Sequence, residues 1–185
     1  MRITGGRARG RILASPKGRR IRPTADLVRE AVFNILGHDL EGYRVLDLFA
    51  GTGALGMEAL SRNAAFAVFV DASPGSLAIV RRNLRSCGFE GSGAAIRRDL
   101  RRGIPRNHRL FREPFDLVFL DPPYGKGLIP PLLEEMPDKG IVEAGSRIVV
   151  ESARSERLPE GTACLTLLDR RIYGDTQVAF YCREV

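Results

Sequence analysis

VLDLFAGTGALG, residues 45–56, begins as an apolar run typical of a buried strand and ends in residues with helical spacing. Gly51, Gly53 and Gly56 fit the pattern G-x-G-x-x-G between the two. Glycines at these positions allow a sharp turn and let a ligand approach the backbone closely. The stretch therefore predicts a strand–turn–helix unit that binds a nucleoside cofactor, without indicating which one.

Strands and helices are predicted to alternate on the C-terminal side of this unit. Apolar β-rich runs predict strands at 44–49, 65–70, 94–97, 115–120 and 147–151, and helical patterns lie at 54–62 and 74–87. Strands that are apolar throughout and joined by helices indicate a parallel sheet covered on both faces. Two last strands, 163–173 and 176–183, are joined at Gly174-Asp175 as an antiparallel hairpin. The expected fold is α/β, with a mostly parallel seven-stranded sheet that ends in a C-terminal antiparallel hairpin, as in the Rossmann-like methyltransferases.

The N-terminal segment differs from the rest of the chain. Residues 1–22 are short, basic and glycine-rich, with Gly5-Gly6 as a turn between two short strands, and we predict a β-hairpin-like extension. Pro23-Thr24 then opens a helix that Gly37 can end. Residues 23–185 are expected to form one Rossmann-like domain.

Charge is distributed unevenly along the chain. Residues 1–112 contain 21 Lys and Arg against 9 Asp and Glu, whereas residues 113–185 contain 8 against 13. Such a basic region attracts phosphate and favours a nucleic-acid partner. The candidate RNA contacts in the extension are Arg7, Arg9, Arg11 and Arg22.

Carboxylates follow or end several of the predicted strands. Asp71 lies 20 residues after Gly51, where an acid accepts hydrogen bonds from ribose hydroxyls. Asp47 precedes the glycine turn, a position that suits the cationic end of S-adenosylmethionine better than the phosphates of NAD. Asp99 follows the next strand and either meets the adenine amino group or pairs with a neighbouring arginine. We therefore expect S-adenosylmethionine as the cofactor, held by Asp47, Phe49, Gly51, Gly53, Asp71 and Asp99.

The strand at 115–120 ends in Asp121-Pro122-Pro123-Tyr124, the most specific feature of the sequence. The two prolines end the strand and fix a turn, so that the Asp121 side chain and the Pro122 carbonyl can point outward. These two acceptors match the two hydrogens of an exocyclic amino group, and Tyr124 offers a ring on which an extruded base can stack. Asp121, Pro122 and Tyr124 are the candidate catalytic residues for methyl transfer to such a group.

The chain resembles the RsmD-type methyltransferases of small-subunit ribosomal RNA over nearly its whole length. The resemblance lies in Arg2–Gly6 with Arg9–Arg11, in Arg22–Thr24 with Val28–Glu30 and Phe33–Leu36, and in Asp47–Arg62 and Asp121–Tyr124. It implies methyl transfer to N2 of a guanine in 16S rRNA, within the small subunit or an assembly intermediate. By the same resemblance, Thr24 and Arg29 belong to a segment that covers the cofactor. Leu27, where members often carry a basic residue, and Asp71, where Glu is frequent, depart from the family pattern.

Other interpretations remain open at this stage. An adenine-N6 methyltransferase of DNA or RNA uses a similar tetrapeptide, and a basic RNA-binding assembly factor could keep the fold without turnover. An NAD-dependent oxidoreductase is disfavoured by Asp47. His38 and His108 stand in no ligand-spaced cluster and the cysteines number three, so neither a metal site nor a disulfide framework is expected. No apolar run approaches the roughly 18 residues of a membrane span, and we expect a cytoplasmic protein.

Overall fold

The computed structural model describes residues 1–16 and 23–184, with side chains described for 1–16 and 26–184. The strands are β1 (Arg44–Leu48), β2 (Phe66–Asp71), β3 (Gly93–Arg97), β4 (Leu117–Leu120), β5 (Arg147–Ala153), β6 (Leu165–Tyr173) and β7 (Thr176–Arg183). The helices are α1 (Pro23–Leu36), α2 (Ala54–Ser61), α3 (Pro74–Cys87) and α4 (Ile129–Asp138). Short 3-10 turns lie at Glu90–Ser92, Leu100–Arg102 and Arg109–Phe111.

All seven strands form one sheet in the order β3-β2-β1-β4-β5-β7-β6. The five strands β1 to β5 pair in parallel, and β7 pairs antiparallel with both β5 and β6. The α/β class, the mostly parallel sheet and the C-terminal antiparallel hairpin are thus confirmed. The strand order reverses between β1 and β4, and ligands of open α/β sheets bind at such a switch point beyond the carboxyl ends of the strands.

Side chains on the two faces of the sheet belong to two apolar clusters. Val45, Phe69 and Phe119 face one cluster, together with residues of α1, α2 and α3. Leu46, Val68 and Val118 alternate with them and face the other cluster, which includes residues of α4. Because both faces are covered, the central strands are apolar throughout, which is why their sequence lacks the alternation of a half-exposed sheet.

The N-terminal segment packs against α2. Arg2 and Ile12 form an antiparallel bridge, while Ile3, Ala8 and Leu13 are buried in the first apolar cluster. Fully buried Glu58 of α2 binds this segment, because its carboxylate accepts hydrogen bonds from the backbone of residues 4 and 5 at 2.9 and 2.7 Å. The segment is therefore attached directly to the helix that follows the glycine turn.

One helix was absent from the sequence-based prediction. α4 contains Pro130 and Pro131 in its first turn and Pro137 near its end, and this composition obscures its helical pattern. Prolines in the first turn are compatible with a helix, because the backbone N–H groups there have no partner within the helix. In the part of the chain that the structure describes, no helix is both long and apolar enough to cross a membrane.

Candidate active site

Three of the predicted site carboxylates lie around the switch point of the sheet. Asp47 is on β1, Asp71 ends β2, and Asp121 directly follows β4. β1 pairs with β2 on one side and with β4 on the other. The three acids therefore lie towards the carboxyl ends of three adjacent strands. Their charges influence one another, because Asp71 raises the pKa of Asp47 and Asp47 raises the pKa of Asp121.

Asp47 is a buried carboxylate, with 2% of its surface exposed. Its Oδ2 accepts a hydrogen bond of 3.0 Å from the backbone N–H of Gly56 in the first turn of α2. A Cβ on Gly56 would lie 2.3 Å from the Phe69 ring, so only glycine lets the helix approach this closely. Burial raises the pKa of Asp47 to about 7, although the Gly56 N–H lowers it and the negative charge of Asp71 adds to the rise. A positive charge placed beside this carboxylate would relieve the cost of its burial.

Asp71 anchors the glycine turn. One oxygen of its carboxylate accepts from the Gly51 N–H at 2.9 Å, and the other accepts from the Ser73 N–H at 2.7 Å. Phe49, two residues before Gly51, has φ 60°. This value is uncommon for a bulky side chain and indicates a strained backbone where the strand enters the turn. Gly51 has φ 54°, and a Cβ placed on it would meet only the Phe49 carbonyl oxygen, at 3.9 Å, so the space above the turn is open.

Asp99 follows β3 and is paired with an arginine. Its two carboxylate oxygens accept from Arg101 Nε and Nη2 at 2.9 and 2.7 Å. These hydrogen bonds lower the pKa of Asp99 to about 2. Of the two roles open to Asp99 in the sequence, the structure shows the arginine pair, and contact with adenine stays a prediction.

Asp121 is partly buried and is influenced by the charges of two other carboxylates. Burial raises its pKa well above the ordinary value, and the negative charges of Glu151 and Asp47 raise it further. Asp121, Glu151 and Arg29 line one small cavity, together with apolar side chains that include Val149 and Val178. The next residue, Pro122, is buried.

Tyr124 presents its ring to solvent at the end of the same turn, with 40% of the residue exposed. Its hydroxyl donates to Glu151 Oε1 at 3.3 Å and lies 3.4 Å from Thr176 Oγ1. Partial burial raises the pKa of Tyr124 to about 12, so the phenol stays protonated at neutral pH. The hydroxyl is thus tied to β5 and β7 while one part of the ring remains accessible for stacking.

Arg29 lies in the interior, with 4% exposure. Its Nη2 donates to the Arg2 carbonyl at 2.6 Å and to Asp26 at 3.1 Å, and its Nε lies 3.5 Å from Glu58 Oε2. It therefore connects α1, the N-terminal segment and α2 at the wall of the cavity that contains Asp121. The Thr24 side chain lies outside the described residues, so its predicted position over the cofactor stays a prediction.

Three of the predicted RNA-contacting arginines lie on the surface of the N-terminal segment. The Arg7 guanidinium lies 4.7 Å from the centre of the Phe89 ring, and Arg11 Nη1 donates to the Ser86 carbonyl at 2.7 Å. Arg9 is exposed. Arg22 lies outside the described residues.

Two acidic residues of the site were absent from the sequence-based prediction. Glu151 lies on β5 beside Asp121 and Tyr124, and Glu58 links the N-terminal segment to Arg29. Glu151 directly follows the apolar residues 148–150 of β5, as Asp71 follows those of β2, and this is a signal that could have identified it. Glu58 gives no such signal, because an acid in a helix is ordinarily solvent-exposed. Among residues 1–16 and 23–184, no group of three or more His, Cys, Asp or Glu side chains has an arrangement that could hold a metal ion.

Comparison with known proteins gives consistent matches over the whole chain. The model of the family described as Conserved hypothetical protein 95 matches residues 1–182. The proposed rRNA methyltransferase YlbH of Bacillus subtilis is 37% identical over 98% of both chains. Ribosomal RNA small subunit methyltransferase D of Escherichia coli K12 is 34% identical over 100% of this chain and 90% of its own. The solved structure of the proposed methyltransferase yhhF of Escherichia coli superimposes with a TM-score of 0.86 at 31% identity, covering 100% of this chain and 98% of that one.

Proposed function

The chain belongs to the Conserved hypothetical protein 95 family, the family of the RsmD-type methyltransferases, and we propose that it transfers a methyl group from S-adenosylmethionine to the exocyclic N2 of a guanine in 16S ribosomal RNA. One observation carries the proposal: Asp121-Pro122-Pro123-Tyr124 follows β4, directly beside the strand that leads into the glycine turn. A cofactor on the turn and an amino group at Asp121 would therefore be neighbours.

The residues around the glycine turn fit S-adenosylmethionine. The open space over Gly51 leaves room for a ligand against the backbone. Asp71 accepts one backbone N–H at each oxygen, which leaves acceptor capacity for ribose hydroxyls. Asp47 is desolvated and lacks a cationic neighbour among the groups that shift its pKa, so a positively charged ligand end suits it. When bound, S-adenosylmethionine supplies a methyl group activated by its sulfonium centre.

Asp121 and Pro122 supply the two acceptors that an amino group requires. A carboxylate oxygen of Asp121 and the Pro122 carbonyl can each accept one amino hydrogen, which holds the nitrogen lone pair toward the methyl group. The nitrogen must lose a proton when it gains the methyl group. The raised pKa of Asp121 gives this carboxylate an increased affinity for that proton.

Tyr124 provides a surface for the base. The residue is partly exposed while its hydroxyl is bonded to Glu151, which restrains the ring at the end of the proline turn. A base extruded from its stack gains roughly 1–3 kcal/mol from such stacking. This arrangement suits a planar base better than an aliphatic amine.

Ribosomal RNA is supported as the substrate by the excess of positive charge in residues 1–112 and by the names of the relatives. Action on the small subunit or an assembly intermediate would take place in the cytoplasm.

The test is transfer of radiolabelled methyl to small subunits isolated from a strain that lacks the activity, followed by nucleoside analysis. The proposal requires N2-methylguanine in 16S rRNA. N6-methyladenine would replace it with the adenine alternative, and lack of label despite S-adenosylmethionine binding would favour an assembly factor. The Asp121→Ala variant, tested for cofactor binding alongside, is the control that links any label to this site.

A further inference from the structure

The uneven charge along the chain becomes an uneven charge across the molecule. Residues 1–112 include β1, β2, β3 and the first three helices, while β4 to β7 belong to the acidic remainder. In the sheet, β3 is one edge and β6 is the other. The basic part of the sequence is therefore gathered on the β3 side.

Contacts join the N-terminal arginines to the C-terminal end of α3. Arg7 lies over the ring of Phe89, just beyond this helix, and Arg11 donates to the carbonyl of Ser86 within it. Arg82 and Arg85 are exposed on α3 at a spacing of three, which places them on one face of the helix. The extension and α3 thus present their arginines side by side.

The same surface continues from α3 across β3 to the carboxyl edge of the sheet. Arg81 of α3 donates to the Ala95 carbonyl of β3 at 3.3 Å. Arg97, at the end of β3, donates to the Ala72 carbonyl at 3.4 Å, and Ala72 directly follows Asp71 of the candidate cofactor site. An open concave surface there is lined by Arg97, Arg98 and Arg102 among others.

Few of these charges are neutralised within the protein. Residues 72–102 contain seven arginines and only two carboxylates, Glu90 and Asp99. Among these arginines Arg101 is paired with Asp99, and over the described residues the others form no salt bridge. On the opposite edge, by contrast, Arg170 and Arg171 of β6 are paired with Glu160 and Asp169. Unpaired guanidinium groups that form one continuous surface match a polyanion with regularly spaced charges.

We propose that the surface around edge strand β3 binds the phosphate backbone of the substrate RNA. It would guide the RNA to the carboxyl ends of the parallel strands, where the candidate active site lies. This β3-edge surface consists of Arg7, Arg9, Arg11, Arg81, Arg82, Arg85, Arg97, Arg98 and Arg102. RNA as the polyanion rests on the proposed function, whereas the surface itself rests on the contacts and charges above. It extends the RNA-binding region from the N-terminal segment to α3 and to the loop after β3.

The experiment compares two triple variants that remove the same charge. Arg82→Gln, Arg85→Gln and Arg102→Gln change the surface at side chains that make no hydrogen bond within the described residues. Arg109→Gln, Arg112→Gln and Arg171→Gln are the control, which removes the same number of positive charges outside the surface, one of them, Arg171, from an ion pair with Asp169. The first two lie near the amino edge of the sheet, where the Leu110 carbonyl accepts from Arg44 at the start of β1, and the third lies on β6. Affinity for protein-free 16S rRNA is measured without cofactor over a range of salt concentrations.

The surface variant is expected to bind RNA more weakly and to reduce the slope of log affinity against log salt by about 2, because each single-strand phosphate that is no longer neutralised lowers the slope by about 0.7. The control should retain nearly the wild-type slope, and both variants should bind S-adenosylmethionine as the wild type does. Equal losses in the two variants, or an unchanged slope in the surface variant, would overturn the proposal. An unchanged slope is also the result expected if this surface binds an acidic protein instead of RNA. Because binding is measured without turnover, the result stands apart from whether methyl transfer to guanine is observed.

Discussion

Replacing Asp47 with asparagine is expected to stabilise the free protein at alkaline pH and to weaken its binding of S-adenosylmethionine. The carboxylate is buried, and its pKa is raised from 3.8 to about 7. The folded protein therefore binds more protons than the unfolded chain between these two values, so this group lowers the free energy of unfolding as the pH rises through that window. Asparagine has the same shape and can still accept from the Gly56 N–H, but it does not ionise.

The size of the effect follows from the pKa shift. Each pKa unit corresponds to about 1.36 kcal/mol, so the full shift from 3.8 to about 7 is worth roughly 4 kcal/mol. Part of this loss in the free energy of unfolding occurs below pH 5, so a loss of about 2–3 kcal/mol remains between pH 5 and pH 8. The difference in the free energy of unfolding, variant minus wild type, should rise by this amount over that range, whatever constant offset the amide itself introduces.

The measurement is urea unfolding without cofactor at several pH values. Unfolding is monitored by circular dichroism, because the chain has no tryptophan. Asp138→Asn, at an exposed carboxylate of α4, is the matched control and should run parallel to the wild type. Calorimetry on the Asp47 variant should show weaker S-adenosylmethionine binding, since the cationic end of the ligand loses its counter-charge. Parallel stability profiles for wild type and Asp47→Asn would refute the view that a costly buried charge is kept here for the cofactor.

Three further changes probe the remaining parts of the site. Asp71→Ala should weaken S-adenosylmethionine binding by roughly 1–3 kcal/mol through loss of the ribose acceptor, and an unchanged dissociation constant by calorimetry would show that the ribose is held elsewhere. Asp121→Ala should abolish or nearly abolish methyl transfer in single-turnover assays at saturating cofactor, with cofactor binding retained; survival of most of the rate contradicts the mechanism. Tyr124→Ala should be severe and Tyr124→Phe mild, because stacking needs the ring and the hydroxyl makes only long hydrogen bonds, of 3.3 Å to Glu151 and 3.4 Å with Thr176. Equal damage from both substitutions would instead indicate that the phenol itself takes part in the reaction.

Much of the fold could be predicted because its signals are local. Buried parallel strands leave apolar runs, and the predicted segment 94–97 differs from β3 by one residue. Glycine and proline mark the turns, as at Gly174, which joins β6 to β7 with φ 61°. α4 escaped prediction because its prolines resemble those of a loop, and only its packing against the sheet distinguishes the two.

The candidate site could be predicted only in part. Asp71 and Asp121 were identifiable because each stands at the carboxyl end of an apolar run, where parallel strands present ligand-binding groups, and Asp47 because it interrupts the run that leads into the glycine turn. Glu58 is invisible by the same reasoning, since nothing in its helix indicates that the N-terminal segment, 53 and 54 residues away, supplies its hydrogen bonds. The pairing of Asp99 with Arg101 was one of two open alternatives until their geometry was known.

Local sequence was sufficient to place the glycine turn after β1 and the proline turn after β4, because strand, turn and rigid Pro-Pro geometry depend on residues close together in the chain. β4 lies beside β1, which brings Asp121 close enough to Asp47 for the charge of Asp47 to raise the pKa of Asp121. This strand order depends on contacts between residues about 70 positions apart. The raised pKa values of both acids have the same origin. Burial and the approach of like charges arise only once the sheet has formed. The chemistry of the site therefore depends on tertiary structure, even though these two residues can be identified from the sequence.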